Sequence, residues 1–209
     1  MPISSRMPEP LALQTELFAL APSVPLGFAY GEELISAAEE RALVAPIAAL
    51  PFKPFAFHGY FGNRRVVSFG WRYDYGARAL EQAPPIPSFL LPLRALAARF
   101  AGLAPDRLEH VLVTEYAAGA GIGWHRDKAE FADVIAVSLL APCTLRFRRK
   151  SGSGWARAPQ RVAPRSAYLL RGAARSEWEH SIPPLDQLRY SVTFRSLVDK
   201  TGTPAPRAR

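Results

Sequence analysis

From His110 onward the chain is written in short runs where apolar and polar residues alternate, broken by Gly and Pro. These runs predict strands over 110–116, 121–127, 134–140, 144–149, 166–171 and 188–197. The last is the clearest: Arg189, Ser191, Thr193 and Arg195 alternate with Tyr190, Val192 and Phe194, so a strand there has one polar and one apolar face. The first half carries helical patterning instead. Ser36-Ala37-Ala38-Glu39 has the form of a capping box, and Leu43, Val44 and Ile47 share one side of the helix it opens, which Pro46 kinks or ends. A second helix is predicted from Ser88 to Phe100, with Leu93, Leu96, Ala97 and Phe100 inward. Many short strands with turn residues between them indicate a sandwich or barrel, and the two helices make the class mainly β within α+β.

Composition sets limits on this picture. The chain has 209 residues, 49% of them hydrophobic, which suits one folded domain with an N-terminal extension. We divide it into an arm at 1–26, helical support with an aromatic segment at 27–109, a strand-rich half at 110–198 in the same domain, and a frayed tail at 199–209. A lone cysteine, Cys143, excludes an internal disulfide and reads as a core residue rather than a nucleophile. No apolar run approaches the ~20 residues of a membrane span, and Met1 to Leu20 lacks a compact signal core. The expectation is a cytoplasmic monomer.

The candidate chemistry begins at His125-Arg126-Asp127, with His180 53 residues beyond Asp127. On a strand, residues i and i+2 share a face, so His125 and Asp127 can reach one metal while Arg126 points away. Two imidazoles and a carboxylate leave open positions on iron and suit non-haem Fe(II) oxygen chemistry, and a zinc hydrolase uses the same ligand types. Arg189 and Arg195 lie about 20 Å apart along a strand at ~3.3 Å per residue. Allowing for their inward reach, the gap between them is about that of a five-carbon dicarboxylate, which arginine's planar fork suits. Either arginine can instead hold Asp127 or another acidic side chain in place.

The residues Thr114-Glu115-Tyr116, Gly123-Trp124-His125-Arg126-Asp127-Lys128, Trp178-Glu179-His180-Ser181-Ile182 and Arg189 to Arg195 resemble the AlkB family of Fe(II)- and 2-oxoglutarate-dependent dioxygenases, which demethylate nucleic-acid bases. With the aromatic segment, the likeness covers most of residues 28–198. It implies a double-stranded β-helix, or jelly roll, backed by helices. It implies that His125, Asp127 and His180 ligate Fe(II), and that Thr114, Tyr116, Arg189, Ser191 and Arg195 surround 2-oxoglutarate, with O2 as the other cosubstrate. Thr114 and Ser191 replace asparagines of the bacterial prototype and keep hydrogen-bonding capacity. Ala129 replaces an acidic residue that meets the damaged base, which leaves base preference open.

A nucleic-acid partner is also suggested by charge. The formal net charge is +8, yet no acid occurs from Val134 through Ser176, where Arg146, Arg148, Arg149, Lys150, Arg157, Arg161, Arg165, Arg171 and Arg175 fall. Such a block is the footprint of a polyanion partner, and Arg146 and Arg148, sharing strand parity, are expected at the mouth of the iron pocket against a phosphate backbone. Within 57–75, Trp71 and Tyr73 correspond to the family's nucleotide lid or else fill the core of a hairpin. His58 and His110 lack ligand-spaced partners and read as structural. The expected reaction is oxidative dealkylation of bases in DNA or RNA, releasing formaldehyde, succinate and CO2. The alternatives are the same mechanism applied to a protein or small molecule, or a binding module without catalysis.

Overall fold

The computed structural model describes residues 24–57 and 60–198. Its core elements are β6 (His110–Tyr116), β7 (Ile122–His125), β8 (Phe131–Leu140), β9 (Cys143–Ser151), β10 (Gly154–Val162), β11 (Ala167–Leu170), β12 (Glu179–Ile182) and β13 (Arg189–Leu197). Before them come β1 (Phe28–Gly31), α1 (Ala37–Ala48), β2 (Lys53–Phe57), β3 (Tyr60–Phe69), β4 (Trp71–Asp74), β5 (Ala79–Gln82) and α2 (Leu91–Ala101). A seven-stranded antiparallel sheet runs β1-β11-β8-β13-β6-β3-β2, and a four-stranded sheet runs β10-β9-β12-β7. From β6 to β13 the chain alternates between the two sheets, with one hairpin, β9–β10, kept within the smaller. That is the jelly-roll winding of a double-stranded β-helix. Among the described residues no helix is long and apolar enough to cross a membrane.

Strand alternation produces two separate cores. One face of β13 carries Tyr190, Val192 and Phe194, all buried against Leu93, Ala97, Ala98 and Ala101 of α2 and against Val111 and Val113 of β6. The opposite face of the large sheet meets Cys143, Leu145 and Phe147 of β9, which close the space between the sheets with Tyr116, Ala136, Tyr168 and Leu170. Cys143 is therefore a core residue, as its sequence context implied. The predicted capping box is present: the Ser36 hydroxyl accepts from the Glu39 amide at 3.2 Å, and the Glu39 carboxylate accepts from the Ser36 amide at 2.7 Å. Pro46 does not end α1, which continues to Ala48. Glu40, next to the box, accepts from the Leu140 amide at 2.8 Å and so ties the helix to the turn between β8 and β9.

Several expectations need correction. β7 stops at His125 instead of reaching residue 127, so Asp127 and Ala129 lie beyond the strand. The strand β10 was not foreseen, because its inward positions Ala156 and Ala158 are weak apolar markers and Pro159 argues against a strand. It survives because β10 is an edge, where the missing amide of Pro159 interrupts no inner ladder. Ser151-Gly152-Ser153-Gly154 is the hairpin turn into it. Residues 27–109 contribute more than helices: β1 pairs with β11, and β3 pairs with β6, widening the large sheet at both edges. The arm up to residue 23, His58 and the tail after residue 198 lie outside the described residues.

Gly70 joins β3 to the β4–β5 hairpin with φ +73°, and a Cβ there would stand 2.0 Å from the Glu109 carbonyl oxygen. Only glycine fits both conditions. Gly70→Ala is expected to lose at least ~1–3 kcal/mol, the scale of a non-glycine residue forced into this region, and to shift the hairpin; urea titration measures the first, and protease cutting at residues 75–79 the second.

Candidate active site

The space between the sheets holds a chain of charged and polar side chains. β12 pairs with β7 so that His180 stands directly across from His125, and their ring centroids are 4.2 Å apart. His180 also lies opposite Phe147 on β9, which makes this the inward face of the small sheet. Asp127, carried past the end of β7, turns its carboxylate into the same space: Oδ2 is 3.6 Å from His180 Nε2. Oδ1 accepts from Arg195 Nε at 2.9 Å and lies 2.8 Å from a terminal nitrogen of the same guanidinium. The other terminal nitrogen of Arg195 is 3.3 Å from His110 Nδ1. His125 Nδ1 lies 2.9 Å from the Gly123 carbonyl oxygen.

Burial and charge set the protonation states. Burial by itself raises the Asp127 pKa, but Arg195 and the two histidines outweigh it and hold the carboxyl well below the usual range. Burial, helped by His125, pulls His180 down to about 3. Burial also lowers His125, against the pull of Asp127. At neutral pH the cluster is thus two neutral imidazoles and one carboxylate, the forms that bind a divalent metal. As the side chains stand, no three His, Cys, Asp or Glu groups among the described residues come together closely enough to hold an ion. The pairing of β12 with β7 juxtaposes the two histidines, and Asp127 approaches His180 from beyond the end of β7.

Arg189 lies on the same face of β13, three two-residue repeats from Arg195, and its side chain is fully buried. Its Nε donates to the Ser138 hydroxyl at 3.0 Å, while both terminal nitrogens are buried without a hydrogen-bond partner. The guanidinium carbon is 5.2 Å from the Tyr116 ring centroid, and Tyr116 is the cross-strand partner of Arg189. Thr114 and Ser191 face each other one pair further along, both buried, with Ser138 on the far side of Ser191. A buried guanidinium with two unused donors is costly unless an anion meets it. The predicted set Thr114, Tyr116, Arg189, Ser191 and Arg195 is therefore on one surface, and His125, Asp127 and His180 adjoin it through Arg195.

The lid residues divide. Tyr73 and Tyr75 meet edge to face at 5.1 Å, and Lys128 Nζ lies 4.6 and 4.7 Å from their ring centroids. Tyr75 feels Arg195 and Asp127 electrostatically, so this end of the hairpin stands at the ligand cluster. Trp71, half-buried on β4 opposite Gln82, makes no described contact with the cluster. Arg146 and Arg148 do not line the pocket: Leu145 and Phe147 take the inward positions of β9, so these arginines project from the outer face, over the Trp124 ring at 5.1 and 4.5 Å. Nor is the basic block an unrelieved positive run. Arg148 pairs with Glu179, Arg149 with Glu177, Arg171 with Asp133, and Arg165 with Glu33 and Glu40. His110, read from the sequence as structural, stands opposite Arg195 on the inward face. Ser138 shares the inward parity of Ser191 on the neighbouring strand and is findable from it. Arg64, stacked 3.9 Å from Phe55 and felt by Tyr116 and His125, carries no such parity signal.

Comparison with known proteins bears on the family and the fold. The 2OG-Fe(II) oxygenase superfamily matches residues 39–195. An Arabidopsis thaliana protein named "Alkylated DNA repair protein ALKBH8 homolog" is 30% identical over 190 residues, covering 78% of this chain and 53% of that one. A Xenopus tropicalis protein, "tRNA (carboxymethyluridine(34)-5-O)-methyltransferase alkbh8", is 26% identical over 170 residues, covering 79% and 26%. The chain thus spans about half the length of these relatives, or less. A structure described as OsALKBH1 superposes with TM-score 0.65 at 15% identity, covering 81% of this chain and 96% of that one. A Pseudomonas putida prolyl-4-hydroxylase superposes with TM-score 0.55 at 17% identity, covering 82% and 92%. A jelly roll matched by this family model over most of its length, and similar in sequence and fold to proteins with AlkB-type names, is an oxygenase: the chain belongs to the 2OG-Fe(II) oxygenase superfamily.

Proposed function

We propose that this dioxygenase removes alkyl groups oxidatively from nucleic-acid bases. The observation that carries the reading is the aromatic hairpin end at the ligand cluster. Tyr73 and Tyr75, set edge to face, and Lys128 against both rings form an aromatic, cationic corner close to Asp127, which suits a planar base taken out of its stack. The names of two relatives support a nucleic-acid partner, one for alkylated DNA repair and one for a tRNA carboxymethyluridine methyltransferase, and the first of them supports dealkylation.

In this reading His125, Asp127 and His180 hold the iron. Arg195 positions Asp127 and keeps it ionised. Arg189 takes one carboxylate of 2-oxoglutarate on its two unused donors, with Tyr116, Thr114 and Ser191 shaping the surrounding wall. When bound, iron with 2-oxoglutarate and O2 supplies the oxidant that hydroxylates an N-alkyl carbon, after which the base is released with formaldehyde, succinate and CO2. The two neutral imidazoles keep the cluster ready for the ion, and Phe147 and Tyr168 exclude water behind it. The test is to measure formaldehyde and succinate on methylated DNA, methylated RNA and unmodified controls. Formaldehyde from a methylated strand alone is expected. Equal succinate release on every oligonucleotide with no formaldehyde would move the substrate to a protein or small molecule, and no succinate at all would leave a binding module.

Arg189→Met tests the cosubstrate role. It is expected to weaken 2-oxoglutarate binding by ~1.5–3 kcal/mol, about ten- to a hundredfold, the worth of a hydrogen bond to a charged group. The unliganded variant is expected to be as stable as the parent or more so, because a buried unpaired cation has gone. Calorimetric titration and thermal melting with and without 2-oxoglutarate read both.

The histidines set a pH dependence. Burial holds His110 well below its ordinary value, as it does His125 and His180. The unfolded chain takes up these protons near pH 6.5, the folded chain only at lower pH. The unfolded state therefore binds more protons throughout that window, and stability falls as pH drops below 6.5. Asp127, depressed instead, contributes stability that is complete above about pH 4 and is lost only in stronger acid. Melting of the metal-free protein is expected to shift down steadily from pH 7 to 5, and less so for His110→Gln.

A further inference from the structure

We propose that the outer face of the four-stranded sheet is a second nucleic-acid surface, which holds an unpaired stretch of the strand while the pocket works elsewhere on it. The proposal rests on the nucleic-acid reading above and adds to it a site separate from the iron cluster.

The register determines what this face carries. Because Leu145 and Phe147 point inward, Arg146, Arg148 and Lys150 of β9 point outward. Their partners on β10 are Pro159, Arg157 and Trp155, with Arg161 opposite Thr144. β12 adds Ser181 and Glu179 across from Arg146 and Arg148. Five cations thus share the face with a single carboxylate, and that carboxylate is bonded to Arg148 at 2.6 Å. Lys150, Arg157 and Arg161 are exposed and make no ion pair among the described residues.

The aromatic groups decide the class of partner. Trp124 lies under Arg146 and Arg148, and Arg148 also lies 4.4 Å from the Trp155 ring, so the guanidinium is held between two indoles. Trp155 is 37% exposed, an unusual position for so large an apolar side chain. Cations in a row with an exposed, rigidly held indole between them combine phosphate attraction with a stacking platform. A duplex hides its base faces and an acidic protein has none to stack, so an unpaired strand is the matching occupant. From Thr144 to Lys150 the row extends about 20 Å at ~3.3 Å per residue. Trp124 adjoins His125 in sequence but points to the opposite side of the sheet, so a strand bound here passes close behind the pocket without entering it.

The experiment uses the full chain and a labelled, unmodified single strand, followed by fluorescence anisotropy at several salt concentrations. The double variant Arg157→Gln with Arg161→Gln is expected to bind about tenfold more weakly, and its log–log salt slope to become shallower by about 1.4, the release expected for two phosphates on a single strand. Trp155→Ala is expected to lose a further tenfold or so through stacking. Ultraviolet crosslinking of the unaltered protein is expected to label peptides within 143–162, a result that stands even if a variant folds poorly. Unchanged affinity and slope in the double variant, or crosslinks confined to residues 71–82, would overturn the surface. So would polyglutamate that displaces the strand as well as unlabelled oligonucleotide does, since that marks a plain acidic-partner face. A parent chain that binds no oligonucleotide also overturns it. Formaldehyde release from methylated trinucleotides, too short to span both sites, judges the proposed function separately.

Discussion

The pleat of β13 ties the stability of this protein to its chemistry. The strand sits in the middle of the large sheet, paired to β6 on one side and β8 on the other, and every second residue is committed to one of two interiors. Tyr190, Val192 and Phe194 are packed among the helices, and Arg189, Ser191, Thr193 and Arg195 are thereby fixed between the sheets. A slip of one residue would put two arginines into the apolar core and three apolar side chains into the polar cleft. The hydrophobic cost of that exchange is what holds the guanidinium groups in register with Tyr116 and His110.

The small sheet plays the complementary part. It brings two histidines opposite each other by a cross-strand pair, and the segment beyond β7 delivers the carboxylate, so the cluster is assembled from a strand pair and a loop. Arg195 links the two halves: rooted in the large sheet, it grips Asp127 and orients it toward the small one. Charge compensation in the cleft is incomplete at Arg189 alone of the two arginines, and that asymmetry assigns them different work.

Much of this was legible in the sequence, for reasons that differ by element. The polar alternation of β13 and the capping box at Ser36 are local signals, and local geometry reproduces them. His180 was legible because its neighbours resemble a known family, whereas spacing alone left its metal open. Asp127 was misread as part of a strand, since a pattern of i and i+2 does not reveal where pairing stops. The basic block misled for a different reason. A count along the chain cannot see Glu179 and Asp133 approaching from other strands, Glu40 from α1, or Glu33 and Glu177 from the connections between elements. Arg146 and Arg148 were correctly grouped by parity, but parity does not say which of two faces is the inside. That depended on Leu145 and Phe147, whose burial needed the second sheet.

The position of β13 in the chain also has a consequence for biogenesis. It follows β6 and β8 in sequence yet lies between them, so the two older strands cannot meet their shared neighbour until the 48 residues separating Leu140 from Arg189 have been made. Through that interval both present open backbone edges and half of each core faces water, the condition under which nascent β-proteins cross-pair with other chains. Loop closure over such distances is slow. The centre of the sheet and the two cleft arginines are therefore acquired together and late, and a chain cut short before residue 189 lacks both at once.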